Sequence, residues 1–115
     1  MSQEALTIED CAGAKSGCRI LRLKGPILIS NLFDFQTKVR SDTSRALILD
    51  LTGVPSVDSA GIGALVGAYI SHQKNGRMLA LVGVSERVRN SLKVTHVEPF
   101  FRFFDSLAAA EAAAA

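Results

Sequence analysis

Two short, almost unbroken apolar runs, ALILDL at 46–51 and RMLALV at 77–82, decide what this chain can fold into. Runs of that length with so little polar interruption read as strands covered on both faces. The stretch between them carries a helical pattern from Ser59 to Lys74, closed by Asn75-Gly76. Strand, helix and strand in that order predict two parallel strands joined by a right-handed crossover. Upstream, LTIEDC (6–11) and CRILRLK (18–24) read as a hairpin across AGAKSG, with Leu21 and Leu23 alternating against Arg22 and Lys24. Gly25-Pro26 breaks the second strand, and Ser30 or Asn31 is placed to cap a helix from 32 to 40 that turns Leu32, Phe35 and Val39 to one side. Downstream, Ser85 caps a helix reaching Val94 with Val88 and Leu92 four apart, and FFRFF (100–104) forms a last short strand. Asp105 then caps an Ala-rich closing helix whose end, AAAEAAAA, is expected to fray. The order is β-β-α-β-α-β-α-β-α, an α/β fold on a mixed sheet, in one domain over 1–115.

Composition narrows the function classes. A chain of 115 residues and 12.3 kDa supports one core, and its mass predicts a folded surface of roughly 6,100 Å². Thirteen basic and eleven acidic residues leave a net charge of +2, scattered singly. No basic run or acidic tail is present, which argues against nucleic acid and anionic lipid as partners. The opening MSQEALTIED is too acidic for a targeting address, and the charge-poor stretch from Ser59 to Gln73 is too short and too glycine-broken to span a bilayer. Two cysteines, Cys11 and Cys18, suit reduced thiols and a cytoplasmic protein.

Three fragments imitate catalytic motifs. AGAKS (12–16) echoes a phosphate-binding loop, but Ala14 stands where that motif needs glycine, and a strand follows where the helix should. GIGALVG (61–67) places its third glycine one residue late for a dinucleotide fingerprint and lies inside a helix. VDSAG (57–61) is half of a nucleophile elbow, with Val57 where glycine belongs. A serine nucleophile also needs a histidine base. His72 lies nearly four helical turns beyond Ser59 and His96 falls in a loop, and both read as solvated surface histidines.

The informative constellation is the helix itself. An apolar stripe, Ile62, Leu65, Val66, Tyr69 and Ile70, is set to face the sheet. The opposite side carries only small residues: Ala60, Gly63, Ala64, Gly67 and Ser71. Glycine inside a helix costs about 1 kcal/mol against alanine, so two of them together call for close packing on this side. Either another helix of the domain covers it or a partner protein docks there. Ser59 heads the helix directly after Asp58, where free amides and the positive dipole end meet. Ser59 or Asp58 is expected to cap the amides of Gly61 or Ile62. A phosphate on Ser59 would be tolerated by the same amides while adding about −1.5 to −2 charges beside the small-residue face.

With its acidic-Ser-small-Gly helix start, DLTGVPSVDSAGIGALVGAY (50–69) resembles the STAS domains of bacterial anti-sigma factor antagonists. RMLALVGVSERVRNSLKVTHVEPFFRFFDSLAAA is similar to that family's later strand, helix, short strand and closing helix. The resemblance implies partner switching. The unphosphorylated protein binds an anti-sigma factor that is also a Ser/Thr kinase, the kinase phosphorylates the serine at the helix start, and a Ser/Thr phosphatase resets it. Carried onto this chain, Ser59 is the phosphorylation site. Asp58, Ser59, Ala60, Gly61, Gly63, Ala64, Gly67 and Ser71 form the partner-binding set, with no metal, no catalytic residue and no cofactor, since ATP and Mg²⁺ belong to the kinase. Ala60 stands where the family often has a second hydroxyl. A homodimer is left open. One departure is clear: family members commonly carry acids just after the second strand, whereas Gly25-Pro26-Ile27-Leu28 has none. That departure favours a second reading, a STAS binding module of a stress-signalling scaffold or of a lipid or anion transport complex. A small enzyme using Ser59 is the third.

Overall fold

The computed structural model describes residues 5–114. Its elements run β1 (Thr7–Ala12), β2 (Cys18–Lys24), α1 (Phe33–Arg40), β3 (Ala46–Gly53), α2 (Ser59–Lys74), β4 (Met78–Val82), α3 (Glu86–Val94), a 3₁₀ turn (Glu98–Phe100), β5 (Arg102–Phe104) and α4 (Leu107–Ala113). The five strands make one sheet in chain order. β1 and β2 pair antiparallel from Thr7↔Lys24 to Ala12↔Arg19, as the hairpin reading expects, and β2, β3, β4 and β5 run parallel. The β-β-α-β-α-β-α-β-α order and the mixed sheet are as the sequence predicts.

Alternation along the strands builds two cores. Leu47, Leu49 and Leu51 of β3 join Leu21 and Leu23, Leu79 and Leu81 under α1, α2 and α3, which contribute Phe35, Val39, Leu65, Ala68, Val88 and Leu92. Ile48 points the other way with Ile20, Ala80 and Val82, and α4 covers them with Ala110. Three helices thus lie on one face and one on the other. The accessible surface, 6295 Å², is close to the value the mass predicts.

Several local expectations are corrected. Neither Ser30 nor Asn31 caps α1. Leu32 occupies that position without a side-chain bond, and Asn31 instead closes a turn by accepting from the Leu28 amide and donating to the Pro26 carbonyl. Ser106, not Asp105, caps α4 by accepting from the Ala109 amide. Phe100 belongs to the 3₁₀ turn, where Pro99 removes an amide that a strand would need. On α2 the buried line is Gly61, Leu65, Ala68 and His72, while Ile62, Val66 and Tyr69 flank it and Ile70 is exposed. His72 is therefore a core residue and not a solvated one; His96 is exposed. Within the low-complexity end, Ala110 and Glu111 are buried, and the Glu111 carboxylate accepts from the Ala14 amide across the domain. Ala115 lies outside the described residues.

Candidate functional site

The start of α2 is built from three segments. β3 hands the chain to the 54–57 loop, and Val57 makes an isolated parallel bridge with Ile27 from the segment after β2. Asp58 then adopts extended backbone angles and caps the helix, its Oδ1 accepting from the Gly61 amide at 2.8 Å. Its second oxygen accepts from the Ile29 amide at 3.0 Å. Those backbone donors, Ile29 first and Gly61 next, hold the Asp58 carboxyl below its ordinary range. Asp58, not Ser59, is thus the cap, which leaves the Ser59 side chain exposed in the first turn.

The three glycines of α2 have different surroundings. A β-carbon on Gly61 would collide with the carbonyl oxygen of Ile27, so this glycine lets the 26–31 segment lie directly on the helix. It is buried and offers nothing to a partner surface. Gly63 and Gly67 are exposed, with open space where a β-carbon would stand. Together with Ala64, Ala68 and Ser71 they form one wall of a groove of about 210 Å³, and Gln36, Val39 and Arg40 of α1 form the other. α1 therefore borders the small-residue side of α2 without covering it. Ala60 is partly buried against the core beneath α1–α3.

Two features at this end of the molecule were not foreseen. Ile29 and Phe33, just before and at the start of α1, are each 73% exposed. Their signal in the sequence is weak, because a lone Ile in a loop or a lone Phe at a helix start looks like any other.

At the opposite end of α2 lies a buried polar cluster. His72 and Asp42 each have a side chain only 1% exposed, and His72 Nε2 meets Asp42 Oδ2 at 2.9 Å while Nδ1 meets the Ala68 carbonyl at 2.9 Å. Arg19 donates to Asp42 Oδ1 at 3.2 Å, and the Ser44 hydroxyl donates at 2.9 Å. Arg77 donates to the Asp42 backbone carbonyl. Burial pushes the Asp42 carboxyl upward, but the donors His72, Ser44 and Arg19 outweigh it, and the group sits below its ordinary range. The spacing Leu65, Ala68, His72 would have revealed the buried histidine had it been followed in place of hydropathy.

This cluster removes His72 as a base for Ser59. Thirteen residues of helix separate them, roughly 20 Å at 1.5 Å per residue, and both ring nitrogens are already engaged. The AGAKS fragment runs from the last residue of β1 into the β1–β2 connection and leads into a strand. Among the described residues no group of three or more His, Cys, Asp or Glu is placed to hold a metal ion, and no helix is long and apolar enough to cross a membrane.

Fold and site together define a small α/β domain with an exposed serine at the head of a helix that lines an open groove, and with His72 buried toward the helix's other end. The STAS domain family profile matches residues 12–110, and the chain belongs to that family. The anti-sigma-B factor antagonist of Staphylococcus aureus is 30% identical over 67 residues, which are 58% of this chain and 62% of that protein. The match thus spans about three fifths of that relative's length. In three dimensions the chain is similar to the Thermotoga maritima protein TM1081, with a TM-score of 0.84, 22% identity and 93% of each chain covered. It is also similar to a sulfate transporter family protein from Wolinella succinogenes, with a TM-score of 0.72 and 28% identity, covering 87% of this chain and 86% of that one.

Proposed function

We propose that this chain is an anti-sigma factor antagonist, a cytoplasmic single-domain binding regulator switched by phosphorylation of Ser59. The observation that carries the reading is the exposed Ser59 hydroxyl in the first turn of α2, next to its capping Asp58 and leading onto the open groove along Gly63 and Gly67. In the unphosphorylated state, the side of α2 formed by Ala60, Gly63, Ala64, Gly67 and Ser71 receives an anti-sigma factor with Ser/Thr kinase activity. Small side chains let a partner's backbone come close. The kinase then moves the γ-phosphoryl group of ATP to Ser59 Oγ. An O–P bond forms at the serine, the bridge between the β- and γ-phosphates breaks, ADP leaves, and the hydroxyl proton passes to a base of the kinase. The new charge, about −1.5 to −2, meets a surface fitted to a neutral hydroxyl, and the complex separates until a phosphatase hydrolyses the ester. ATP and Mg²⁺ remain the kinase's, and the antagonist itself performs no catalysis.

The test pairs a chemical and a binding measurement. Incubation with the cognate kinase and ATP is expected to add one phosphate, mapped to Ser59, and to leave Ser59→Ala unmodified. Ser59→Asp is expected to bind that kinase at least about tenfold more weakly than Ser59→Ala, a loss of about 1.4 kcal/mol. Equal binding by the two variants would overturn the switch. A second reading, a STAS binding module of a stress-signalling scaffold or a lipid or anion transport complex, is favoured by the acid-free Gly25-Pro26-Ile27-Leu28 stretch and by the likeness to the Wolinella protein. Recovery of a transport subunit in place of a kinase would decide for it.

A further inference from the structure

The segment between β2 and α1 is fastened to the head of α2 at several points. The Ile27 amide donates to the Ser56 carbonyl at 3.1 Å, and the Asp58 amide donates to the Ile27 carbonyl at 3.2 Å. Gly61 closes against that same carbonyl. The Asp58 carboxylate spans the joint, one oxygen on the Gly61 amide and the other on the Ile29 amide. Inside the segment, Asn31 ties Leu28 to Pro26. This construction holds the backbone of Ile29, whose side chain, 73% exposed, is among the most exposed large apolar ones of the described residues.

We propose that Asp58 is the positioning residue through which the phosphorylation state of Ser59 reaches the 26–31 segment. Its carboxylate pins Ile29 while Ser59 carries a hydroxyl, and it loses that hold when Ser59 carries a phosphate. The inference rests on the reading of Ser59 as the phosphorylated residue. Two anions on adjacent residues would compete for one set of helix-start amides. A phosphate brings more charge than a carboxylate and three strong acceptor oxygens, and it takes helix N-terminal donors readily. Like charges at that distance also repel. Because one carboxylate serves both joints, its displacement frees Ile29 together with Gly61. Phosphorylation would then both place charge at the head of α2 and slacken the segment that carries the exposed Ile29.

The test needs no partner. The isolated protein is prepared with phosphoserine encoded at position 59, and amide hydrogen exchange is followed by NMR. Asp58→Asn and Asp58→Ser are measured alongside. Serine retains a cap oxygen for Gly61 but is too short to reach Ile29, so it keeps the helix start while cutting the tie. The expected result is that phosphoserine and both Asp58 variants speed exchange of the Ile29 amide by about tenfold to a hundredfold, the range for losing a hydrogen bond to a charged group. Core amides such as Leu49 stay protected, and phosphoserine adds nothing further in the Asp58 variants. An Ile29 amide unchanged by the phosphate would overturn the coupling, even if the Asp58 variants release it. The two ideas fail separately. Partner loss on phosphorylation with Ile29 still protected keeps the switch and ends the coupling, whereas release of Ile29 without partner loss keeps the coupling and ends the switch.

Discussion

Gly61, Gly63 and Gly67 look alike in the sequence, as three helix-interior glycines at two-residue and four-residue steps, yet Gly61 lies against a neighbouring backbone while Gly63 and Gly67 face open space. Gly61→Ala drives a methyl into the Ile27 carbonyl, and a backbone atom cannot swing aside as a side chain can. The expected cost is about 1–3 kcal/mol, as for other overpacked sites, read as a lowered urea midpoint. Gly63→Ala and Gly67→Ala meet open space and remove backbone freedom from the unfolded chain. Each is expected to stabilise by about 0.4–1 kcal/mol. If the groove is the docking surface, these same two variants bind the partner less well while folding better, an outcome that a merely structural glycine would not give. The sequence placed Gly61 among the partner-facing residues because the atom that determines its role belongs to a segment more than thirty positions away.

At the scale of elements, Asp42 is the joint between α1, α2 and β2, since His72 and Arg19 converge on its carboxylate from the last two. Removing one member of a buried ionic cluster leaves the others unpaired, so Asp42→Ala is expected to lose about 3–5 kcal/mol, measured by denaturant unfolding. The acid response follows from the same contacts. Asp42 and Asp58 are both held below their ordinary values in the fold. Their contribution is therefore fully present above the unfolded carboxyl value of about 3.9 and is lost as pH falls through the lower folded values. The wild type should lose stability more steeply below about pH 4 than Asp42→Asn does. An identical acid limb in the two proteins would show that Asp42 is not a source of the dependence. Strands and helices were readable to within a residue or two because burial and period agree along them. The turn of α2 about its own axis was not, since hydropathy chose Ile70 over His72 and only the carboxylate on the neighbouring loop makes a histidine welcome inside.

Over the whole molecule, the sheet is loaded unequally, with α1, α2 and α3 on one side and α4 alone on the other. The crossovers follow from strand-helix-strand order, and so does the shared side of the first three helices. The last helix gave less away. A run of alanines carries almost no pattern, and it is the small gap over Ile20, Ile48, Ala80 and Val82 that gives Ala110 its place. Ala110→Leu is expected to overfill that gap at a cost of about 1–3 kcal/mol. A thermal midpoint unmoved by this change would mean that α4 does not rest on the sheet. The candidate site was legible as Ser59, Asp58 and the small residues of α2, which are contiguous in the chain. The 26–31 segment was not, because it reaches the head of α2 through ties between distant parts of the chain, the Ile27–Val57 bridge and the Asp58 bond to the Ile29 amide among them.

That bridge has a bearing on how such proteins diverge. Ile29 and Phe33 stand almost clear of the core, so replacing them disturbs little that holds the domain together. Position 61, by contrast, admits no side chain, and the cluster around Asp42 is closed off at the far end of α2. Copies of this fold can therefore accumulate change at these two exposed positions at little cost to stability, while position 61 and the Asp42 cluster stay closed to it.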